Sequence, residues 1–223
     1  LTEVMTIPLE DEGTGYLVSR SIDRIKKLIE GKDVLAIGPG WGKNCDGLEI
    51  LRNILGKFSI SIVIDADALN HISKDIELLS KHEGPVIITP HPGEMARLTK
   101  KSTEEVVRFP VDTAQKLARD FGIIVLLKGA TSVVAHPDGK LYFNCSGNSG
   151  MATGGSGDVL TGVIASLIAQ GYSPYDAAVY GCYVHGRAGD YAKERLGEAG
   201  MLAGDILEML PLVLKDLYNL KQK

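Results

Sequence analysis

The sequence predicts a single α/β domain built on a mainly parallel central sheet flanked by helices. Short, near-continuous apolar runs rich in β-branched residues recur through the first two-thirds of the chain, with amphipathic segments between them, and the last third carries only helical patterning. Such runs suit strands covered on both faces, because parallel crossovers lay helices over a sheet.

Val18, Ile22, Ile25 and Ile29 recur at helical spacing before Gly31 and predict a one-faced helix with a glycine stop. Asp33–Ile37, Ser61–Ile64, Pro85–Thr89 and Ile123–Leu127 read as the buried strands. Ser102-Thr103-Glu104-Glu105 has the pattern of a capping box opening a short helix. Val111–Phe121 follows Pro110 and ends at Gly122, the usual order of helix punctuation. Thr131–Ala135 and Lys140–Asn144 flank Pro137-Asp138-Gly139 and predict an antiparallel hairpin. Thereafter helices are predicted over about 158–169, 174–192, 201–209 and 211–219, with no repeat or linker.

At 223 residues, 44% hydrophobic and 23% charged, the chain can bury a substantial core. A net charge of -4 gives no electrostatic reason to expect nucleic acid or an anionic membrane as partner. A small anion can still bind through local backbone amides. Cys45, Cys145 and Cys182 are odd in number and widely spaced, which argues against a disulfide framework or zinc site and favours a reducing compartment, the cytoplasm being the expected location. The longest apolar run, around Val159–Ala169, has about half the ~20 residues that cross a bilayer and reads as a core helix. No targeting segment is recognised, and an opening Leu1 predicts an upstream extension.

Chemistry concentrates in five segments. The richest runs from Asn148 to Asp158, with four glycines, small polar residues and Asp158 directly before an apolar helix. Glycines let backbone amides approach a ligand, and the helix N-terminus adds unpaired N–H groups and partial positive charge, a setting that suits phosphate. Asp158 then reads as a base toward a substrate hydroxyl, or more plainly as an N-cap. No Gly-Lys-Ser/Thr follows, so the segment is not a Walker A loop.

Gly38-Pro39-Gly40-Trp41-Gly42 follows the first strand, where loops of a parallel sheet form a ligand crevice and Trp41 offers a stacking face; a plain turn is the alternative. Thr89-Pro90-His91-Pro92-Gly93-Glu94 follows the third strand, with His91 placed to bond a substrate and Glu94 to hold a water or Mg²⁺, against the reading of His91 as a surface residue. In Asp65-Ala66-Asp67-Ala68-Leu69-Asn70, Asp65 and Asn70 are candidate contacts and Asp67 a cap. Lys128-Gly129-Ala130-Thr131-Ser132 places a cation at a strand end, for a nucleotide's phosphates or merely for solvent. If the strands are parallel, four of these loops open on one edge of the sheet.

The ordered set GPGWG, DADALN, TPHPGE, KGATS and NSGMATGGSGD closely resembles the ADP/ATP-dependent NAD(P)H-hydrate dehydratases of the ribokinase-like superfamily, from about Val4 to about Leu214. The resemblance implies a ribokinase-like fold and repair of hydrated NADH and NADPH: a nucleotide phosphorylates the hydrate hydroxyl, and phosphate is then eliminated. It implies Asp158 as the catalytic aspartate; Gly40, Gly42 and His91, with Asp65 and Asn70, on the substrate side; and Lys128, Gly129, Ala130, Thr131 and Ser132 with Asn148, Ser149, Gly150, Met151, Ala152, Thr153, Gly154, Gly155, Ser156 and Gly157 on the nucleotide side. His-Pro-Gly-Glu stands where many sugar kinases of the superfamily carry Asn-x-x-Glu, leaving Glu94 as a water-mediated Mg²⁺ contact. ADP, the typical bacterial co-substrate, is expected ahead of ATP, with Mg²⁺, a homo-oligomer, and an epimerase fused or as partner. Members begin with a further β-α-β portion, expected upstream of Leu1. An ordinary vitamin or sugar kinase would use Asp158 identically, while a silent nucleotide-binding module would have no need of that carboxylate.

Overall fold

The computed structural model describes residues 3–42 and 46–220; Cys45 lies outside them. Six strands form one sheet in the order of the sequence: β1 (Val34–Ile37), β2 (Ser61–Ile64), β3 (Val86–Ile88), β4 (Ile124–Leu127), β5 (Ser132–Ala135) and β6 (Leu141–Asn144). The first four run parallel, β5 pairs antiparallel with β4, and β5 and β6 form the predicted antiparallel hairpin.

Sequential order has a geometric consequence. Right-handed crossovers that always step the same way keep every connecting helix on one face. That face carries α1 (Ile22–Ile29), α2 (Gly47–Leu55), α3 (Ala66–Ile72), α4 (Leu78–Lys81), α5 (Pro92–Thr99), α6 (Thr103–Arg108) and α7 (Pro110–Phe121), packed on Ile62, Ile64, Ile88, Val125 and Leu127. The opposite face, Val63, Ile87, Ile124, Leu126 and Val134, is left for α8 (Ser156–Ala169) and α9 (Pro174–Leu196). Both faces are therefore buried, which is why the strands read as continuous apolar runs. An outer cluster joins α9 to α10 (Ala203–Leu220) through Val184, Ala188, Ile206 and Met209.

The structure departs from the predicted elements at particular points. The two C-terminal helices are one, because Pro211 sits inside α10; Leu207 and Pro211 are both exposed there, so water can serve the carbonyl that proline leaves without a donor. The Ser102 hydroxyl does accept from the Glu105 N–H, but the Glu105 carboxylate pairs with Lys101 rather than closing a capping box. No helix among the described residues is long and apolar enough to cross a membrane.

Candidate active site

Because β1–β4 are parallel, the loops that follow them share one edge of the sheet, and the N-terminus of α8 reaches that edge from the opposite face. Gly155 is the N-cap of α8, at φ 88°, a left-handed conformation that glycine adopts without steric cost. Ser156, Gly157 and Asp158 form the first turn, so Asp158 is not the cap. Its carboxylate is exposed among the free amides of that turn, and within the described residues it makes no ion pair or side-chain hydrogen bond.

Beneath this turn lies a buried ion pair. The Lys128 Nζ donates to Asp65 Oδ1 at 2.8 Å, and the Thr161 hydroxyl, from the second turn of α8, donates to Asp65 Oδ2 at 3.0 Å. Asp65 is only 1% exposed, so its charge must be matched internally, and both oxygens are. The predicted substrate contact at Asp65 is thus directed inward to Lys128. Gly157 closes over the pair: a Cβ there would stand 3.0 Å from the Lys128 Nζ. The sequence separations, 63 and 96 residues, show why no local pattern revealed it.

His91 and Glu94 form the capping box that Ser102 was expected to make. His91 is the N-cap of α5; its Nδ1 accepts from the Gly93 N–H at 3.0 Å, and Glu94 Oε2 accepts from the His91 N–H at 2.8 Å. An accepting Nδ1 leaves the neutral ring's proton on Nε2, which faces Glu94 Oε1 at 3.4 Å. Glu94 is buried, which pushes its carboxyl above the usual range, while the His91 N–H and the Lys128 charge pull it back. The His91 ring itself is half exposed at the edge.

The glycine-rich loop after β1 needs its glycines: Gly38, Gly40 and Gly42 all have positive φ, and a Cβ on Gly38 would lie 1.8 Å from the Asp65 carbonyl oxygen. Asp67 does not cap α3, whose N-cap is Asp65; it accepts from the Gly42 N–H at 2.9 Å and from Asn70 Nδ2 at 3.3 Å. His71 Nε2 donates to the Gly42 carbonyl at 3.1 Å, so α3 grips that residue from both sides. Asn70 Oδ1 accepts from Arg97 Nε at 2.8 Å. Trp41 is partly buried, packed against the core below the loop.

On the nucleotide side, Gly129, Ala130 and Thr131 form an exposed turn in which the Gly129 N–H meets the Ser132 hydroxyl at 3.4 Å. The loop from β6 to α8 is organised by α9, a predicted helix whose hold on the loop sequence reading did not foresee. Asp190 accepts from the Gly147 N–H and from Asn148 Nδ2, both at 3.2 Å, and from Arg187 Nη1 at 3.3 Å. Asn148 Oδ1 in turn accepts from the Gly150 N–H, and the Ser149 hydroxyl donates to Glu198. A Cβ on Gly189 would overlap Met151, and one on Gly186 would overlap Ser146. Glycines inside a 23-residue helix, unfavourable to helix stability, were the available signal in His185-Gly186-Arg187-Ala188-Gly189-Asp190.

His185 sits at the other end of that loop, its Nε2 3.3 Å from the Ser156 hydroxyl. Burial holds its imidazole down to about 4; a hydrogen bond at the Ser156 backbone opposes this, and the Lys128 charge adds to it. His185 is therefore neutral near pH 7. Among the described residues no group of three or more His, Cys, Asp or Glu is placed to hold a metal ion.

An exposed carboxylate at a helix N-terminus, beside a lysine and a glycine-rich loop, is a setting in which phosphoryl transfer can be catalysed. A bifunctional NAD(P)H-hydrate repair enzyme from Moorella thermoacetica is 44% identical over 216 residues, 97% of this chain and 41% of its own length. The chain thus spans about two-fifths of that relative. The crystal structure of an ADP/ATP-dependent NAD(P)H-hydrate dehydratase from Bacillus subtilis, co-crystallised with ATP and Mg²⁺, is 31% identical with a TM-score of 0.74, over 82% of this chain and 64% of that one. A ribokinase from Thermotoga maritima, 16% identical with a TM-score of 0.56 over 89% of this chain and 62% of its own, shares the fold. The sequence model of the NAD(P)H-hydrate dehydratase family matches residues 2–212, and with the ribokinase-like sheet and the Gly-Ser-Gly-Asp turn in place, the chain belongs to that family.

Proposed function

We propose that this chain carries the active site of an ADP-dependent (6S)-NAD(P)H-hydrate dehydratase. Asp158 takes the proton of the hydrate hydroxyl, whose oxygen attacks the terminal phosphorus of ADP as AMP departs. The ring carbon–oxygen bond of the hydrate then breaks, assisted by the ring nitrogen, so that the oxygen leaves with the phosphate, and loss of a proton from the adjacent carbon restores the reduced nicotinamide. Phosphate leaves far more readily than hydroxide, which gives the nucleotide its purpose.

The observation that carries this reading is the exposed Asp158 in the first turn of α8, next to amides backed by the paired Lys128. Asn148–Gly157 and Lys128–Ser132 are the nucleotide side; Gly40, Gly42 and His91 are the substrate side. Asp65 acts there through Lys128, and Asn70 through Asp67 and Arg97. The donor set does not fit a protein-held Mg²⁺: Glu94 is engaged in its own helix cap, and among the described residues no group of three or more His, Cys, Asp or Glu is placed to hold a metal. The same reading includes a cytoplasmic setting, self-association, and an epimerase fused or as partner.

The test is to incubate the full-length protein with NADH hydrate and ADP or ATP and follow the absorbance of reduced nicotinamide. Nucleotide-dependent recovery, with phosphate and AMP released from ADP, is the expected result. Stoichiometric accumulation of a stable phosphoester from a vitamin or sugar would overturn it in favour of a kinase of the same fold.

A further inference from the structure

One face of α9 meets both ends of the loop that runs into the α8 turn. His185, Gly186, Gly189 and Asp190 are spaced to lie together on a helix surface. Asp190 takes the loop's first residues, Gly147 and Asn148. His185 meets Ser156, the first residue of α8, across a separation of 29 residues.

We propose that His185 is a positioning residue for the phosphate-binding turn, holding the Ser156 hydroxyl and thereby fixing the Gly155–Asp158 turn against α9. The assignment rests on the functional reading above for what the turn binds, but the hold itself is geometric. His185 and Ser156 are each 8% exposed, so water competes poorly for their hydrogen bond, and breaking it leaves a buried polar group unmatched. Ser156 lies two positions before Asp158 and one before Gly157, whose backbone rests on the Lys128 head group. A shift of the first turn therefore moves the amides, the base and the lysine relative to one another. Preorganised donors lose their effect when displaced by small distances.

The test compares His185→Leu, His185→Gln and Ser156→Ala in the full chain by three readouts: ADP affinity and kcat, melting temperature, and hydrogen exchange of the amides from 153 to 160. His185→Leu is expected to weaken ADP binding or kcat by about three- to tenfold, the worth of one neutral hydrogen bond, and to speed exchange in that segment while the sheet amides stay protected. Glutamine, which keeps a polar group near the hydroxyl, should recover most of the loss. Ser156→Ala should match His185→Leu, with the double variant no worse than either single one. Unchanged exchange and affinity in both His185→Leu and Ser156→Ala would overturn the proposal, as would failure of glutamine to recover function in a folded protein. If His185→Leu does not fold, Ser156→Ala decides. A wild-type chain that binds no ADP would defeat the functional reading, and the exchange experiment would still decide the hold.

Discussion

The two sides of the site are built by different means. On the substrate side one cap is local, His91 and Glu94 across three residues, and the other anchors reach 25 to 29 residues, from Asp67 and His71 to Gly42 and from Arg97 to Asn70. On the nucleotide side His185 and Asp190 stand 29 and 43 residues from the groups they hold, and beneath the α8 turn Asp65 binds Thr161 across 96. Local anchors form with their own helix. Distant ones exist only when the elements that hold them are packed, so both sides depend on tertiary stability, the nucleotide side through the longer separations.

The sharpest way to break that contrast is at the two acids that meet near α8. Exposed Asp158 should matter to chemistry alone: Asp158→Asn is expected to lower kcat by about 10²–10⁴ with ADP affinity and melting temperature nearly unchanged, and near-normal turnover would refute its role as base. Buried Asp65 should matter to stability: Asp65→Ala strands Lys128 and is expected to cost about 3–5 kcal/mol, read by denaturant unfolding. A loss of only turnover there would show that Asp65 faces the substrate after all.

The next effect is in the pH dependence. With its folded pKa at about 4 and the unfolded value near 6.5, His185 binds its proton in the unfolded chain first. Stability from keeping it neutral is complete above pH 6.5 and falls as pH drops toward 4, by on the order of 2–3 kcal/mol. Glu94, displaced upward, works in the opposite sense in the lower part of this window. The wild-type slope minus that of His185→Leu isolates the histidine, and identical slopes would sink the claim. Smallest should be Gly155→Ala, which forces a side chain into left-handed backbone for about 1–2 kcal/mol, with ADP affinity falling in parallel. Replacement without loss of either would mean the cap can be rebuilt.

The same contrast explains what was legible in the sequence. The four parallel strands declared themselves by apolar runs, and their loops by glycine and proline, because those are local consequences of burial and turn geometry. Helices α2 and α5 escaped notice: α5 opens on Pro92-Gly93, which reads as loop until the His91–Glu94 cap is seen. Asp158 was recognisable as a candidate, while its plain alternative as a cap needed the observed turn to be dismissed. For Asp65 the residue's identity announces a carboxylate, and nothing local announces its partners Lys128 and Thr161. His185 and Asp190 sit in a helix whose only oddity is its glycines.

The order of the strands also bears on how such a chain emerges from a ribosome. With every crossover helix on one side, Val63, Ile87, Ile124, Leu126 and Val134 form a bare apolar wall until α8 and α9 have been synthesised. A nascent chain thus exposes that wall until those two helices have left the ribosome, and the α8 turn is secured only then.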